Sequence, residues 1–434
     1  MNISTLATPY LPELGSVRRG KVRDIYESAD GSSLIMIASD RVSCFDVVLG
    51  QQVPDKGRVL TGISNFWFQN TSDIVPNHII ACPDPNVVVA RKCRPLPVEV
   101  IMRGYLCGSL WRAYQKGERN VCGVQLPDGM QENQAFDHPI LTPTTKAHEG
   151  HDENISAAEI VSQGLVDANV WKHIEELALA LFCRGQEIAR TRGLELVDTK
   201  YEFGVDTQGD LVLIDEIHTP DSSRFWMQED LDRNIVRFPD KEFLRSWLRT
   251  QGWDGSGAAP VLTDEVIAQT AEGYRSLYER ITGQALETES VPVQQRLLAH
   301  LQSYGTLRGC CAIVLAGSRS DEAHVAKICE GLEAQGIPHR AIYASAHKQP
   351  QEVADFMQEI NRSIEPTVLI AVAGMSNALG GVLAANVRWP VINCPPFKDQ
   401  ADYMVNIHSS LQMPRDVPAM TVIHPRNAAL ATAK

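Results

Sequence analysis

Residues 311–345 read CAIVLAGSRSDEAHVAKICEGLEAQGIPHRAIYAS, and this stretch decides the architecture of the C-terminal part of the chain. CAIVLAG is apolar at nearly every position, which marks a strand buried on both faces. GSRSDE opens a helix whose Val325, Ile328, Cys329 and Leu332 fall on one side, and Gly336 ends it. HRAIYAS is a second strand. The alternation continues with a helix striped by Val353, Phe356, Met357 and Ile360, the strand TVLIAVAG, a small-residue helix, and the strands PVINCPP and AMTVIH. Such a pattern predicts a parallel sheet covered by helices on both faces. Ligands of these sheets bind at the carboxyl ends of the strands, so GSRSD, SAHKQP and GMSNALGG are expected around one crevice.

Upstream the pattern is irregular. Strand-like and helical runs mix with Pro/Gly-rich loops up to a helix that starts at Thr263, carries Ile267, Ala271, Tyr274, Tyr278 and Ile281, and stops at Gly283. The polar run GQALETESVP and a short helix at 293–304 then separate two regions. The expected division is 1–284, a connecting segment 285–308, and 309–434. A length of 434 residues agrees with more than one core.

Composition narrows the class. Apolar content of 44% and charged content of 21% describe a globular chain, and a net charge of −13 without a basic run argues against nucleic acid or an acidic membrane as partner. The ten cysteines show no C-x-x-C or zinc-like spacing and read as reduced thiols. The N-terminus lacks a signal-peptide pattern and no window of about 18 apolar residues exists, so a cytoplasmic location is expected.

Two N-terminal stretches carry chemistry. In GKVRDIYE (20–27), Gly20 with Lys21 and Arg23 suits a loop that cradles phosphate. In DTKYEFGVDTQGDLVLIDE (198–216), two strands flank a turn with Gln208 and Gly209 at its tip. That register puts Glu202 opposite Asp215, with Asp198, Lys200 and Glu202 on one face. Like charges so placed repel each other, unless a divalent cation lies between them and phosphate oxygens.

Together with RVSCFDV, VEVIMRGYLCGSLW, TPTTKAHEGHDENIS and LIDEIHTPDSSRFW, these stretches resemble SAICAR synthetase over residues 12–284. The resemblance implies a two-lobed α+β fold, kinase- or ATP-grasp-like. It also implies ligation of L-aspartate to the carboxylate of the imidazole nucleotide CAIR with ATP and Mg²⁺. Gly20, Lys21 and Arg23 would then hold ATP, and Glu202 and Asp215 the metal. Lys200 would neutralise charge, and Arg103, Ser109, Asp198 and Arg224 would bind the nucleotide. Asp152 and Asp221 would lie near the aspartate amine. Ile217-His218 departs from the aliphatic pair expected there, and no catalytic role is given to His218.

The C-terminal segments, with SSLQMP and NAALATA, resemble AIR carboxylase over 309–433 and imply a three-layer flavodoxin-like α/β domain. SAHK and the GMSNALGG turn match the animal-type subclass, which adds CO₂ directly to aminoimidazole ribotide (AIR). Gly317, Ser318, Ser320 and Asp321 would bind the phosphoribose. His347 would take the C4 proton, and Lys348 with the 374–377 backbone would stabilise the carboxylate in a dry pocket. Ser345, Gly374, Ser376 and Asn377 would line the CO₂ side. Relatives form octamers, so a homo-octamer is expected, although the short tail after NAALATA bears on the contacts between subunits. Other readings of the C-terminal region are an N5-carboxyl mutase, an inactive oligomerisation domain or a flavin module; a kinase-like regulator is the other reading of the N-terminal region.

Overall fold

The computed structural model describes residues 5–146, 153–231, 241–288 and 290–434. By their contacts the residues form two compact units. The first comprises Met1–Ala7, Arg19–Ile25 and Asp30–Ser290; the second comprises Thr8–Arg18, Tyr26–Ala29 and Val291–Lys434.

The first unit is α+β. Strands Ser33–Ala38, Val87–Arg91 and Ile79–Asp84 pair antiparallel, and the strand beginning at Arg23 extends the edge. The helix Lys56–Asn70 lies against the strand Ser33–Ala38 and the helix Asp264–Thr282, and its Val59, Leu60, Ile63, Trp67 and Phe68 join the main core of the unit. A second sheet is built on two long strands, Arg94–Tyr105 and Leu194–Val205, backed by the 24-residue helix Ala168–Thr191. Asp167 caps that helix by accepting from the N–H groups of Asn169 and Val170. The helix Asp264–Thr282 begins at the cap Thr263 and ends at Gly283, whose φ of 73° suits glycine. Its most buried side chains are Val266, Thr270, Tyr274, Leu277 and Ile281, a stripe turned slightly from the expected one, with Ile267, Ala271 and Tyr278 on its flank.

The hairpin departs from the expected register. Glu202 pairs with Ile214, not Asp215, because the connecting loop is 206–210 and Asp206 closes it by accepting from Gln208 and Asp210 N–H. A one-residue offset turns every side chain to the other face. Asp215 escapes that consequence by leaving the strand in a left-handed conformation, φ 68°. The carboxylate opposite Glu202 is instead Glu99, on the neighbouring long strand.

The second unit carries a five-stranded sheet, parallel throughout. Its order is His339–Tyr343, Cys311–Ala316, Thr367–Val372, Val391–Asn393, Ala419–Thr421. The order reverses beside Cys311–Ala316, which places the ligand crevice at the ends of that strand and Thr367–Val372. Every residue of Cys311–Ala316 is buried. The N-terminal segment is part of this unit. Tyr10 forms a parallel bridge to Ser363, its hydroxyl accepts from Arg340 at 3.0 Å, and its ring joins the core of Ile313, Leu315 and Leu369. Glu13 accepts from the N–H groups of Arg308 and Gly309. All ten cysteines are free, and no described helix is long and apolar enough to cross a membrane.

Candidate functional site

The long strand Leu194–Val205 presents Asp198, Lys200 and Glu202 on one face, as its alternation requires. Lys200 Nζ lies 2.6 Å from Glu202 Oε1 and 2.8 Å from Glu99 Oε1, bridging the carboxylates that face each other across the strands. Lys146 pairs with the other Glu202 oxygen. Burial pulls the Lys200 pKa down, but Glu202, Asp215 and Glu99 outweigh it and hold the ammonium above its ordinary range.

Asp215 and its neighbour Glu216 both pair with the Arg23 guanidinium. Burial opposes ionisation of Asp215, yet Arg23, Lys200 and Lys146 keep its carboxyl below the usual range. Glu216 moves up, chiefly through burial. Gly20 is sterically required, since a Cβ there would sit 2.9 Å from the Arg23 carbonyl oxygen. Lys21 reaches Asp46 at the surface. The glycine loop therefore supplies Arg23 to the acidic cluster as well as facing solvent through Lys21.

Beside this cluster lies a cavity of about 210 Å³, lined by Arg103, Ser109, Asp198, Lys200, Asp221 and Arg224, with Arg245. Arg103 donates to Thr142 and reaches Asp198 and Ser109 at 3.4 and 3.5 Å. Asp198 also pairs with Arg224, so it holds two guanidinium groups over the cavity rather than facing a ligand as a lone carboxylate. Gly108 makes room, because a Cβ there would stand 2.6 Å from Arg224 Nη2. Asp221 is locked by Lys56 at 2.8 Å and the Tyr274 hydroxyl at 2.6 Å. Burial opposes its ionisation, but Lys241 and Lys56 drive its pKa far down. These contacts fix the 219–224 wall, and Asp221 lines the cavity from it. Asp152 lies outside the described residues. His218 is fully buried, with Nε2 2.6 Å from the Tyr201 hydroxyl, and burial lowers its pKa to about 3.

Glu99, Lys146, Lys56, Glu216 and Arg245 were not among the expected site residues. Glu216 adjoins Asp215 and Lys146 falls within TPTTK, so both had a local signal; Glu99 and Lys56 enter only through long-range pairing, and Arg245 through its place in the cavity wall.

In the second unit, Ser318 accepts from Ser320 N–H, and burial raises the Asp321 carboxyl despite its hydrogen bond to Ser320. Ser345 Oγ accepts from Lys348 N–H. His347, Lys348, Ser318, Ser320 and Ser376 are all exposed in the single chain, so the expected dry pocket is not closed by this chain alone. Asn377 is buried: Oδ1 caps the following helix at Gly380 N–H and Nδ2 donates to Ser410, so it shapes the turn instead of lining the CO₂ side. Of the expected backbone donors, Met375 N–H goes to Asn406 Oδ1 and Asn377 N–H to Ser409 Oγ. Gly380 serves packing, since a Cβ there would lie 1.9 Å from Asn393 Oδ1.

Comparison with known proteins accords with this geometry. A SAICAR synthetase family model matches residues 16–260, and an AIR carboxylase model matches 312–434. A putative phosphoribosylaminoimidazole-succinocarboxamide synthase of Agrobacterium fabrum is 46% identical over 284 residues, 63% of this chain and 89% of that protein. The corresponding synthase of Bacteroides fragilis is 48% identical over 286 residues, 64% and 90% of the two chains. The structure of SAICAR synthase from Saccharomyces cerevisiae complexed with SAICAR superposes with a TM-score of 0.59 at 34% identity, covering 65% of this chain and all of that one. A SAICAR synthetase in complex with ADP gives 0.50 at 27% identity, covering 63% and 100%.

Proposed function

We infer how the two sites work from the premise that the chain belongs to the SAICAR synthetase family and carries an AIR carboxylase domain, which makes it a bifunctional enzyme of purine biosynthesis. The second unit carboxylates AIR with CO₂ to CAIR. The first unit then joins CAIR to L-aspartate at the expense of ATP. The observation that carries the synthetase assignment is the cationic cavity of Arg103, Arg224 and Lys200 next to the carboxylates Glu202 and Asp215.

In the first unit, Arg103, Arg224 and Ser109 hold the nucleotide 5′-phosphate, whose charge suits two planar guanidinium groups. ATP use follows the family and the ADP bound by the related synthetase; Lys21 and Arg23 are its phosphate contacts. The γ-phosphoryl group passes to the CAIR carboxylate, giving an acyl phosphate and ADP. The aspartate amine attacks the acyl carbon, phosphate leaves, and the amine gives up its proton. Lys200 steadies the negative charge of the carboxylate under attack. Glu202 and Asp215, hard oxygen donors paired here with Lys and Arg cations, are the residues that would hold Mg²⁺; no cluster of three or more metal-ligating side chains occurs among the described residues. Bound there, the ion would supply charge neutralisation for the phosphates.

In the second unit, Gly317, Ser318, Ser320 and Asp321 hold the phosphoribose. C4 of AIR attacks CO₂ and His347 accepts the C4 proton, with Lys348 and Ser345 beside it. The exposed Met375, Phe397, Met404, Val405 and Leu411 support a homo-oligomer, here an octamer, that closes the crevice. The chain acts in the cytoplasm, without nucleic acid or membrane.

The test supplies AIR, bicarbonate, ATP, Mg²⁺ and L-aspartate and omits each in turn. SAICAR formation that requires AIR, bicarbonate and aspartate supports both assignments. SAICAR appearing only when CAIR is added removes the carboxylase assignment. Glu202→Ala is expected to abolish SAICAR but keep carboxylation, whereas His347→Ala is expected to abolish carboxylation and to keep SAICAR formation only from added CAIR.

A further inference from the structure

The helix Gln400–Leu411 grips the turn that joins the strand Thr367–Val372 to the helix Ala378–Asn386. Asn406 Oδ1 accepts from Met375 N–H at 2.6 Å, and its Nδ2 donates to the Pro396 carbonyl at 2.6 Å. Ser409 Oγ accepts from Asn377 N–H at 2.7 Å, and Ser410 Oγ from Asn377 Nδ2 at 3.0 Å. Asn406 and Ser410 are buried, and Asn406 Nδ2 lies 3.4 Å from the place a Gly374 Cβ would occupy. The turn is under strain, because Met375 holds φ at 58° although its side chain is exposed.

The consequence is an alternation. The N–H groups of Met375 and Asn377 are spent on the Gln400–Leu411 helix. Those of Gly374 and Ser376 have no acceptor among the described residues. Two alternate N–H groups of one turn, left without protein acceptors, make a donor pair for a carboxylate. We propose that Asn406 and Ser409 are positioning residues of the carboxylation step: they hold the 374–377 turn in the one shape that leaves Gly374 and Ser376 N–H for the carboxylate forming on C4. This inference rests on the carboxylase reading above. Neither side chain touches the substrate. Their effect belongs on the chemical step rather than on AIR binding, because the developing carboxylate is what the turn receives and the phosphoribose is held elsewhere, at 317–321.

The experiment first establishes carboxylation by the full wild-type chain; its absence there would remove the parent reading and not this one. Asn406→Leu keeps the shape and removes both the acceptor for Met375 N–H and the donor to the Pro396 carbonyl, whereas Asn406→Asp keeps the acceptor and, as the buried protonated acid, a donor. Expected are a fall of about 30-fold in carboxylation kcat for Asn406→Leu with the KM for AIR within about twofold, and a fall of no more than about threefold for Asn406→Asp. Ser409→Ala, a milder change, is expected to lower kcat about fivefold. Synthetase activity assayed with CAIR and the native mass serve as controls for folding and assembly. An unchanged kcat in Asn406→Leu overturns the proposal, as does an equal fall in the Leu and Asp variants, or an effect confined to the KM for AIR. If Asn406→Leu does not assemble, the Asp and Ser409→Ala variants decide by the same criteria.

Discussion

Lys200 Nζ lies 2.6 Å from Glu202 Oε1, two residues along the same strand, and 2.8 Å from Glu99 Oε1 on the next. One ammonium thus makes tolerable a cross-strand pair of carboxylates that would otherwise repel. Lys200→Met removes that charge at nearly constant volume. SAICAR formation from CAIR is expected to fall by about 100-fold or more, with AIR carboxylation unchanged in the same preparation. Because its neighbours hold the Lys200 pKa above the ordinary range, the wild-type profile should show no lysine break below about pH 10.

Asp198 organises the neighbouring cavity by pairing with both Arg103 and Arg224. Asp198→Asn keeps hydrogen-bonding capacity but removes the countercharge between two guanidinium groups. The KM for CAIR is expected to rise about tenfold or more as the arginines separate, with a smaller change in kcat. Steady-state kinetics with CAIR as the varied substrate check this.

The alternation of Leu194–Val205 and the apolar strands of the second unit were legible because periodicity is local. The hairpin register was missed by one residue, since nothing local shows that Asp206 would close a longer loop or that Asp215 would leave the strand at φ 68°. Glu99 and Lys56 could not be found from spacing: their partners Lys200 and Asp221 lie 101 and 165 residues away. In GMSNALGG the positive φ belongs to Met375 and Gly380 is demanded by Asn393, neither of which the motif shows locally.

Tyr10 ties the N-terminal segment into the second unit through a backbone bridge, the Arg340 hydrogen bond and a ring 4% exposed. Tyr10→Ala is expected to destabilise that unit by about 3 kcal/mol. A fragment starting at residue 291 should unfold well below the full chain in thermal scans and recover stability when a peptide of residues 5–18 is added. A fragment as stable as the same unit in the full chain would contradict this.

Buried titratable groups give the two units opposite responses to mild acid. In the first, burial lowers His218 to about 3 and His78 to about 4, so each folds neutral. Their stabilising contribution is complete above the ordinary imidazole value near 6.5 and is lost as pH falls toward 4 and 3, at up to about 1.4 kcal/mol per pH unit for each. In the second, Glu365 Oε2 accepts from Glu13 N–H while Oε1 is buried without a partner, and burial raises its pKa to about 8. A raised carboxyl pKa contributes stability below its ordinary value of 4.5 and loses it as pH climbs through 8. Between pH 6.5 and 4.5 the two histidines should therefore weaken the first unit, offset in part by Asp40, whose carboxyl burial raises to about 6, while Glu365 strengthens the second. Thermal unfolding followed by loss of each activity separately checks the two slopes. Glu365→Gln, which cannot ionise, is expected to flatten the pH dependence of the carboxylase transition between about pH 5 and 8 and to leave the synthetase transition as it was. A carboxylase slope unchanged by that substitution would assign the effect to another group.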